Sequence, residues 1–329
     1  MKLSILDQSP KSIGSTSQEA LEASLQLAQR GDELGYTRYW IAEHHDMNGL
    51  SCPAPDVMLG MIGSHTKRIR IGSGAVLIPH YKPYNIAERY NLLATLFPGR
   101  IDLGIGRAPG GSAEASIALS GNFLENVRQV PDDIDELRSF FEKSFPDENM
   151  YSKIDPTPIP DVSPQIWLLG TSEKSGQLAV DKQLPYTFGH FMSDANGPEI
   201  VKKYKNDIHN DNLLTSQSPI VAVSVICAET TEKAEELALS SQAWSILSEK
   251  GYNGIPSVQE VNAYPFTEEE KETIAKQREA MIIGNPDEVK EQLKHLQELY
   301  QTDEFMIITI THDYKARLTS YELLAKEIL

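Results

Sequence analysis

Short apolar runs alternate with amphipathic segments along almost the whole chain, and this rhythm restricts the fold more than any other feature. Such alternation marks βαβ units, which build a parallel sheet covered by helices. Strands are expected at residues 2–7, 38–42, 69–77, 101–106, 165–169, 186–188, 220–228 and 304–310. Thr16-Ser17-Gln18-Glu19 reads as a capping box opening the first helix, with Leu21, Leu25 and Ala28 on one face and Gly35 ending it. Further helices are expected at 53–64, 84–97, 132–145, 172–182, 198–209, 231–247, 286–299 and 320–328. Eight strands with about as many helices give the count of a (β/α)8 TIM barrel.

Three stretches break the rhythm. Residues 108–122 read as a loop with little local helix, and 146–164 as a Pro-rich connection. Residues 248–271 contain Gly251, Gly254, Pro256 and Pro265 and show no clear periodicity, as expected of a mobile lid or binding loop. At 329 residues the length fits one barrel domain over 1–329, with insertions at the C-terminal rim.

The charge balance, 30 Lys and Arg against 47 Asp and Glu, gives −17. A field of that sign repels nucleic acid and anionic membrane, so neither is expected as a partner. The two cysteines, Cys52 and Cys227, have no metal-type spacing. With no bilayer-length apolar run and no signal-peptide pattern, a cytoplasmic protein is expected.

Ligands of a parallel barrel bind where strands end, at the C-terminal rim. Three successive strand ends carry candidate chemistry. Glu43-His44-His45-Asp46 follows the second strand; on extended chain Glu43 and His45 share one side and His44 takes the other. A polar strand end with satisfied histidines is the bland reading. No His-x-His pair faces two imidazoles inward, so no metal is expected, whereas a rim histidine is a reasonable proton-transfer group. Gly72-Ser73-Gly74-Ala75 ends the third strand, either for tight packing or so that a flat ring can lie against the backbone.

Gly104-Ile105-Gly106-Arg107 ends the fourth strand, and Gly170-Thr171-Ser172-Glu173-Lys174-Ser175 joins the fifth to a helix. Hydroxyls at a helix N-terminus are ordinary caps, but Arg107 from another strand end makes them a candidate phosphate site. His190-Phe191-Met192 could wall a pocket or lie in the core, and 79–84 reads as a polar loop.

In these elements the chain resembles the bacterial luciferase family of flavin-dependent oxidoreductases. The likeness rests on Trp40-Ile41-Ala42-Glu43-His44-His45, Ile71-Gly72-Ser73-Gly74-Ala75, the turn from Leu92-Leu93 to Gly99-Arg100, and Gly104-Ile105-Gly106-Arg107, all in order and spacing. The loop 170–175 matches again; beyond Pro198 the similarity is architectural. The resemblance implies a TIM barrel that uses FMN in reduced form, supplied by a separate flavin reductase. It implies a non-prolyl cis peptide at Gly74-Ala75 beneath the ring, and Arg107, Thr171, Ser172 and Ser175 around the FMN phosphate. His44 would be the catalytic histidine and Glu43 an orienting acceptor near the ring. Thr171 and Gly106 stand where the luciferases have glutamate and cysteine, and 248–271 has no counterpart. The resemblance further implies a homodimer formed through helices 53–64 and 84–97.

The leading expectation is therefore a two-component monooxygenase acting on a small organic substrate with O2. A flavin- or deazaflavin-dependent dehydrogenase, and a flavin-binding barrel without turnover, are the alternatives within the family. A barrel hydrolase using Glu43 and Asp102 is the alternative outside it.

Overall fold

The computed structural model describes residues 1–210 and 218–329. Among the described residues nine parallel strands occur in chain order: β1 (Lys2–Asp7), β2 (Arg38–Ile41), β3 (Arg70–Leu77), β4 (Ile101–Gly106), β5 (Gln165–Gly170), β6 (Tyr186–Gly189), β7 (Ile220–Cys227), β8 (Met281–Gly284) and β9 (Glu304–Ile308). Pairing runs from β6 back through β1 to β9 and β7, and β6 pairs β7, closing an eight-stranded barrel. The expected barrel strands are all present. The ninth, β8, lies outside the ring on the upper half of β7, pairing Ser224–Cys227 with Met281–Gly284.

Among the described residues twelve α-helices surround or cap the barrel: α1 (Ser17–Leu34), α2 (Pro55–His65), α3 (Pro83–Leu96), α4 (Ala113–Ser120), α5 (Phe123–Glu142), α6 (Glu173–Asp181), α7 (Gly197–Asn210), α8 (Thr231–Glu249), α9 (Val258–Ala263), α10 (Glu268–Glu279), α11 (Pro286–Tyr300) and α12 (Tyr314–Ile328). None among the described residues is long and apolar enough to cross a membrane.

Thr16 and Glu19 form the expected capping box, and Gly35 ends α1 at φ 91°. The buried face of α1 differs from expectation. Ala20, Ser24, Leu27, Ala28 and Gly31 meet the barrel, while Leu21 and Leu25 pack at its margin. A Cβ on Gly31 would come within 2.7 Å of Ile5 Cδ1, so close helix–sheet approach selects the small face.

Four expectations need correction. The stretch 108–122 contains α4, capped by Ser112. The helix expected to begin at 132 begins at Phe123 and carries Pro131 inside it. The helix expected from 320 begins at Tyr314. The segment without visible pattern, 248–271, holds α9 and the start of α10, each opened by a capping box, Ser257 with Glu260 and Thr267 with Glu270. It is tied to the loop after β1, since Ile255 N–H donates to Lys11 O (2.8 Å) and Ile13 N–H to Ile255 O (2.9 Å).

Strands covered on both faces bury nearly every residue. One core lies between barrel and helices. A second fills the barrel, where Trp40 and Trp167 meet edge-on with centroids 5.6 Å apart above an ionic floor. In that floor Arg38 bonds Asp102 (2.7 Å) and Glu304 (2.9 Å), Arg70 bonds Asp102, and Ser4 donates to Glu304. The barrel is thus plugged from below, which leaves the C-terminal end for ligands.

Candidate active site

At that end lies a cavity of about 400 Å³, a size ordinary for a small-molecule site. Glu43, His44, Gly74, Ala75, Arg107, Thr171, Ser172 and Ser175 all line it, so the eight residues expected to act on or hold a flavin meet in one place. Asp102 does not. It is wholly buried and salt-bridged in the floor, so the carboxylate pair required by the hydrolase alternative is never assembled.

The glycines act by the space they leave. A Cβ on Gly74 would stand 2.7 Å from Leu6 Cδ1, and one on Gly106 would stand 3.1 Å from the Cβ of Ala75. Bare backbone from β3 and β4 therefore forms one smooth wall. The Gly74-Ala75 peptide is cis.

Opposite charges are kept apart at this wall. Glu43 is 3% exposed, and its carboxylate accepts from Tyr81 Oη (2.8 Å), His45 Nε2 (2.8 Å) and the Leu77 N–H (3.2 Å). Burial, with Glu43 alongside, pushes the Tyr81 phenol well up, so Tyr81 stays a donor. The loop 79–84 therefore supports the site instead of lying idle at the surface. Glu43 and His45 share a side, as the alternation requires.

His44 takes the other side. Its Nδ1 is buried and has no partner among the described residues, and burial, aided by neighbouring His45, pushes the imidazole down to about 4. The ring is neutral at neutral pH.

Arg107 and the start of α6 form the cationic side. Among the described residues Arg107 has no ion-pair partner. Ser172 caps α6, and Ser175 returns to it: the Ser175 hydroxyl donates to Ser172 O (2.6 Å) and accepts from the Ser172 N–H (3.1 Å). Its remaining lone pair faces Tyr186 Oη at 2.9 Å. Burial pushes the Tyr186 phenol up to about 12, opposed by the Ser175 bond and by the charge of Arg107. Ser175 thus fixes the turn, while Thr171, Ser172 and the first N–H groups of α6 are left for a ligand.

Several lining residues had no separate sequence signal. Leu6, Leu169, Ala222 and Met306 face inward from strands β1, β5, β7 and β9, and Gln8 follows β1. Alternation along each strand would have marked the inward set once the barrel was assumed. Phe191 and Met192 do wall the cavity, held by Ser193, whose hydroxyl donates to Thr171 O at 2.8 Å.

The sequence model for luciferase-like monooxygenases matches residues 1–303. N-acetyl-S-alkylcysteine monooxygenase of Bacillus subtilis is 35% identical, covering 100% of this chain and 98% of the relative. The crystal structure of apo-MsnO8 superposes with a TM-score of 0.88 at 30% identity, over 99% of this chain and 98% of that one. The oxygenating constituent of 3,6-diketocamphane monooxygenase from Pseudomonas putida, solved with FMN, shares the fold with a TM-score of 0.72 at 19% identity, over 100% of this chain and 97% of that one.

Proposed function

The chain belongs to the luciferase-like monooxygenase family, and on that premise we propose that it takes reduced FMN from a separate reductase and oxygenates a small organic substrate with O2. The observation that carries this reading is the meeting of an unpaired guanidinium, a helix N-terminus and a glycine wall at one cavity. Those three features match a phosphate joined to a flat aromatic ring.

Arg107, Thr171 and Ser172 would hold the phosphate, with Ser175 keeping the turn in place. Gly74, Ala75 and Gly106 would support the ring, and Glu43 would orient it from the rim. Reduced flavin supplies the electrons that activate dioxygen. His44, neutral and facing the cavity, accepts and returns a proton at its ring nitrogen. The apolar lining, with Leu6, Phe191 and Met306, keeps water out.

Two chains would pair through α2 and α3. Met58 of α2 turns inward, but Val57, Met61, Leu92 and Leu96 present an exposed apolar face on these two helices.

Anaerobic titration with reduced FMN, followed by admission of oxygen, tests the reading. Tight binding and slower flavin reoxidation than in free solution are expected. Absence of FMN affinity ends the proposal. Binding with ordinary reoxidation points to hydride transfer or flavin storage instead. N-acetyl-S-alkylcysteines, named in the relative's activity, are the first substrates to try.

A further inference from the structure

Gln8 stands at the rim of the same cavity, one residue beyond β1. It is half-buried, and among the described residues its carboxamide has no hydrogen-bond partner. The backbone on either side is, by contrast, tightly fixed. Asp7 is wholly buried and accepts from Arg317 Nη2 (2.6 Å), Tyr39 Oη (2.5 Å) and the Ser9 N–H (2.6 Å). Ser9 adopts a left-handed φ of 51°, its O accepts from Ser51 N–H (3.0 Å), and its hydroxyl accepts from Ser24 Oγ (2.9 Å). A buried ion pair and four further bonds thus hold the corner that displays one free amide.

Position around the barrel gives the amide its sector. Ala42 N–H donates to Asp7 O, which places Gln8 beside Ala42, Glu43 and His44, whereas Arg107 and Ser172 follow β4 and β5. The Gln8 amide and the cationic side therefore serve different parts of whatever fills the cavity. A carboxamide donates and accepts side by side, so its complement is a group that does the same.

We propose that Gln8 is a specificity-determining residue that reads an N–H next to a C=O on the bound molecule, a carboxamide or imide edge. Two sources carry that chemistry, the imide edge of the flavin ring and an amide on the substrate. The inference rests on the proposed flavin-dependent function, and the experiment separates the two.

Gln8→Leu keeps the side-chain bulk and removes both hydrogen bonds; Gln8→Glu keeps the acceptor and removes the donor. Neither residue change touches an internal bond, so thermal melting should stay near that of the parent protein. One arm compares lumiflavin with 3-methyllumiflavin, whose imide N–H is blocked. The other compares hexanamide with 2-heptanone, which differ by NH2 against CH3, binding to FMN-loaded protein. The parent should prefer the unblocked member of one pair by about tenfold, the scale of losing one or two neutral hydrogen bonds. Gln8→Leu should abolish that preference. Loss in the first arm assigns Gln8 to the flavin, and loss in the second assigns it to the substrate. If the parent shows neither preference, or Gln8→Leu retains whichever preference the parent shows, the inference is overturned while FMN binding, and with it the proposed function, stands. Failure of the parent to bind FMN is a separate result that strikes the function itself.

Discussion

The two ends of the barrel use the same residue types in opposite ways. At the floor Arg38, Arg70, Asp102, Glu304 and Ser4 bond one another, and Trp40 Nε1 donates to Asp102 at 3.0 Å. At the mouth Arg107 lacks an ion pair, His44 Nδ1 lacks a partner and Gln8 offers a free amide among the described residues. Buried charge is tolerable only when paired, and the floor meets that condition internally. At the mouth Arg107 is exposed, so its charge is solvated and is available to a bound molecule at little cost. Charge paired within the protein at the floor, and an arginine without an ion pair among the described residues at the mouth, separate the two ends here.

Substitutions can break this contrast. Arg38→Met should have the largest effect, destabilising the fold by about 3–5 kcal/mol because Glu304 would be left buried beside Ser4 alone. Urea unfolding measures it, and a loss under about 1 kcal/mol would erase the distinction between the ends. His44→Ala should cut turnover about a hundredfold through loss of the proton-transfer group, with FMN affinity nearly unchanged. Single-turnover kinetics with saturating flavin check this, and undiminished turnover removes His44 from the chemistry.

Arg107→Ala should weaken FMN binding by about 2–3 kcal/mol, as for a lost charge-assisted contact, and leave urea unfolding unaltered. Calorimetric titration decides, because an unchanged Kd would put the phosphate elsewhere. Gly106→Val, whose Cβ would meet Ala75, should lower flavin affinity by about 1–2 kcal/mol by filling the wall.

The smallest effect concerns pH. His44 is held down to about 4 when folded, against an ordinary value of 6.5. Between those values the unfolded chain takes up a proton that the folded one refuses. His44 therefore lowers stability as pH falls from 6.5 towards 4, and the loss is complete below that window. In His44→Gln the fall of the melting temperature across this window should be shallower than in the parent. Parallel curves would contradict the neutral, buried imidazole.

The sequence made the eight barrel strands visible because each is a run of apolar residues bounded by turn signals. The strand β8 escaped because four residues, Met281–Gly284, sit between two helices and outside the ring, where no barrel count calls for them. The helix α4 is rich in Ala and Ser and has almost no contrast between its faces, so periodicity could not reveal it. Pro131 misled differently. A proline normally opens a helix or stands before it, which sets the expected start at 132, yet α5 carries Pro131 in its interior, where packing of Val130, Ile134 and Leu137 outweighs the missing N–H.

The site was readable wherever a residue's type was unusual for its place, as with His44, Gly74 and Arg107. Gln8 was not, because a glutamine after a strand is ordinary until the structure shows that no described residue answers it. The capping boxes Ser257–Glu260 and Thr267–Glu270 were readable but passed unnoticed among the prolines and glycines around them.

The forked pairing of β7 has a consequence for how this barrel can diversify. Its lower residues, Ile220–Ala222, join β6, but from Ser224 upward it joins β8, and β6 ends at Gly189. Above that point the gap between the two staves is closed by the Phe191-Met192 turn, without ladder hydrogen bonds. Exchanging those two side chains therefore reshapes the cavity wall at this sector without touching a ladder bond of the strands beneath.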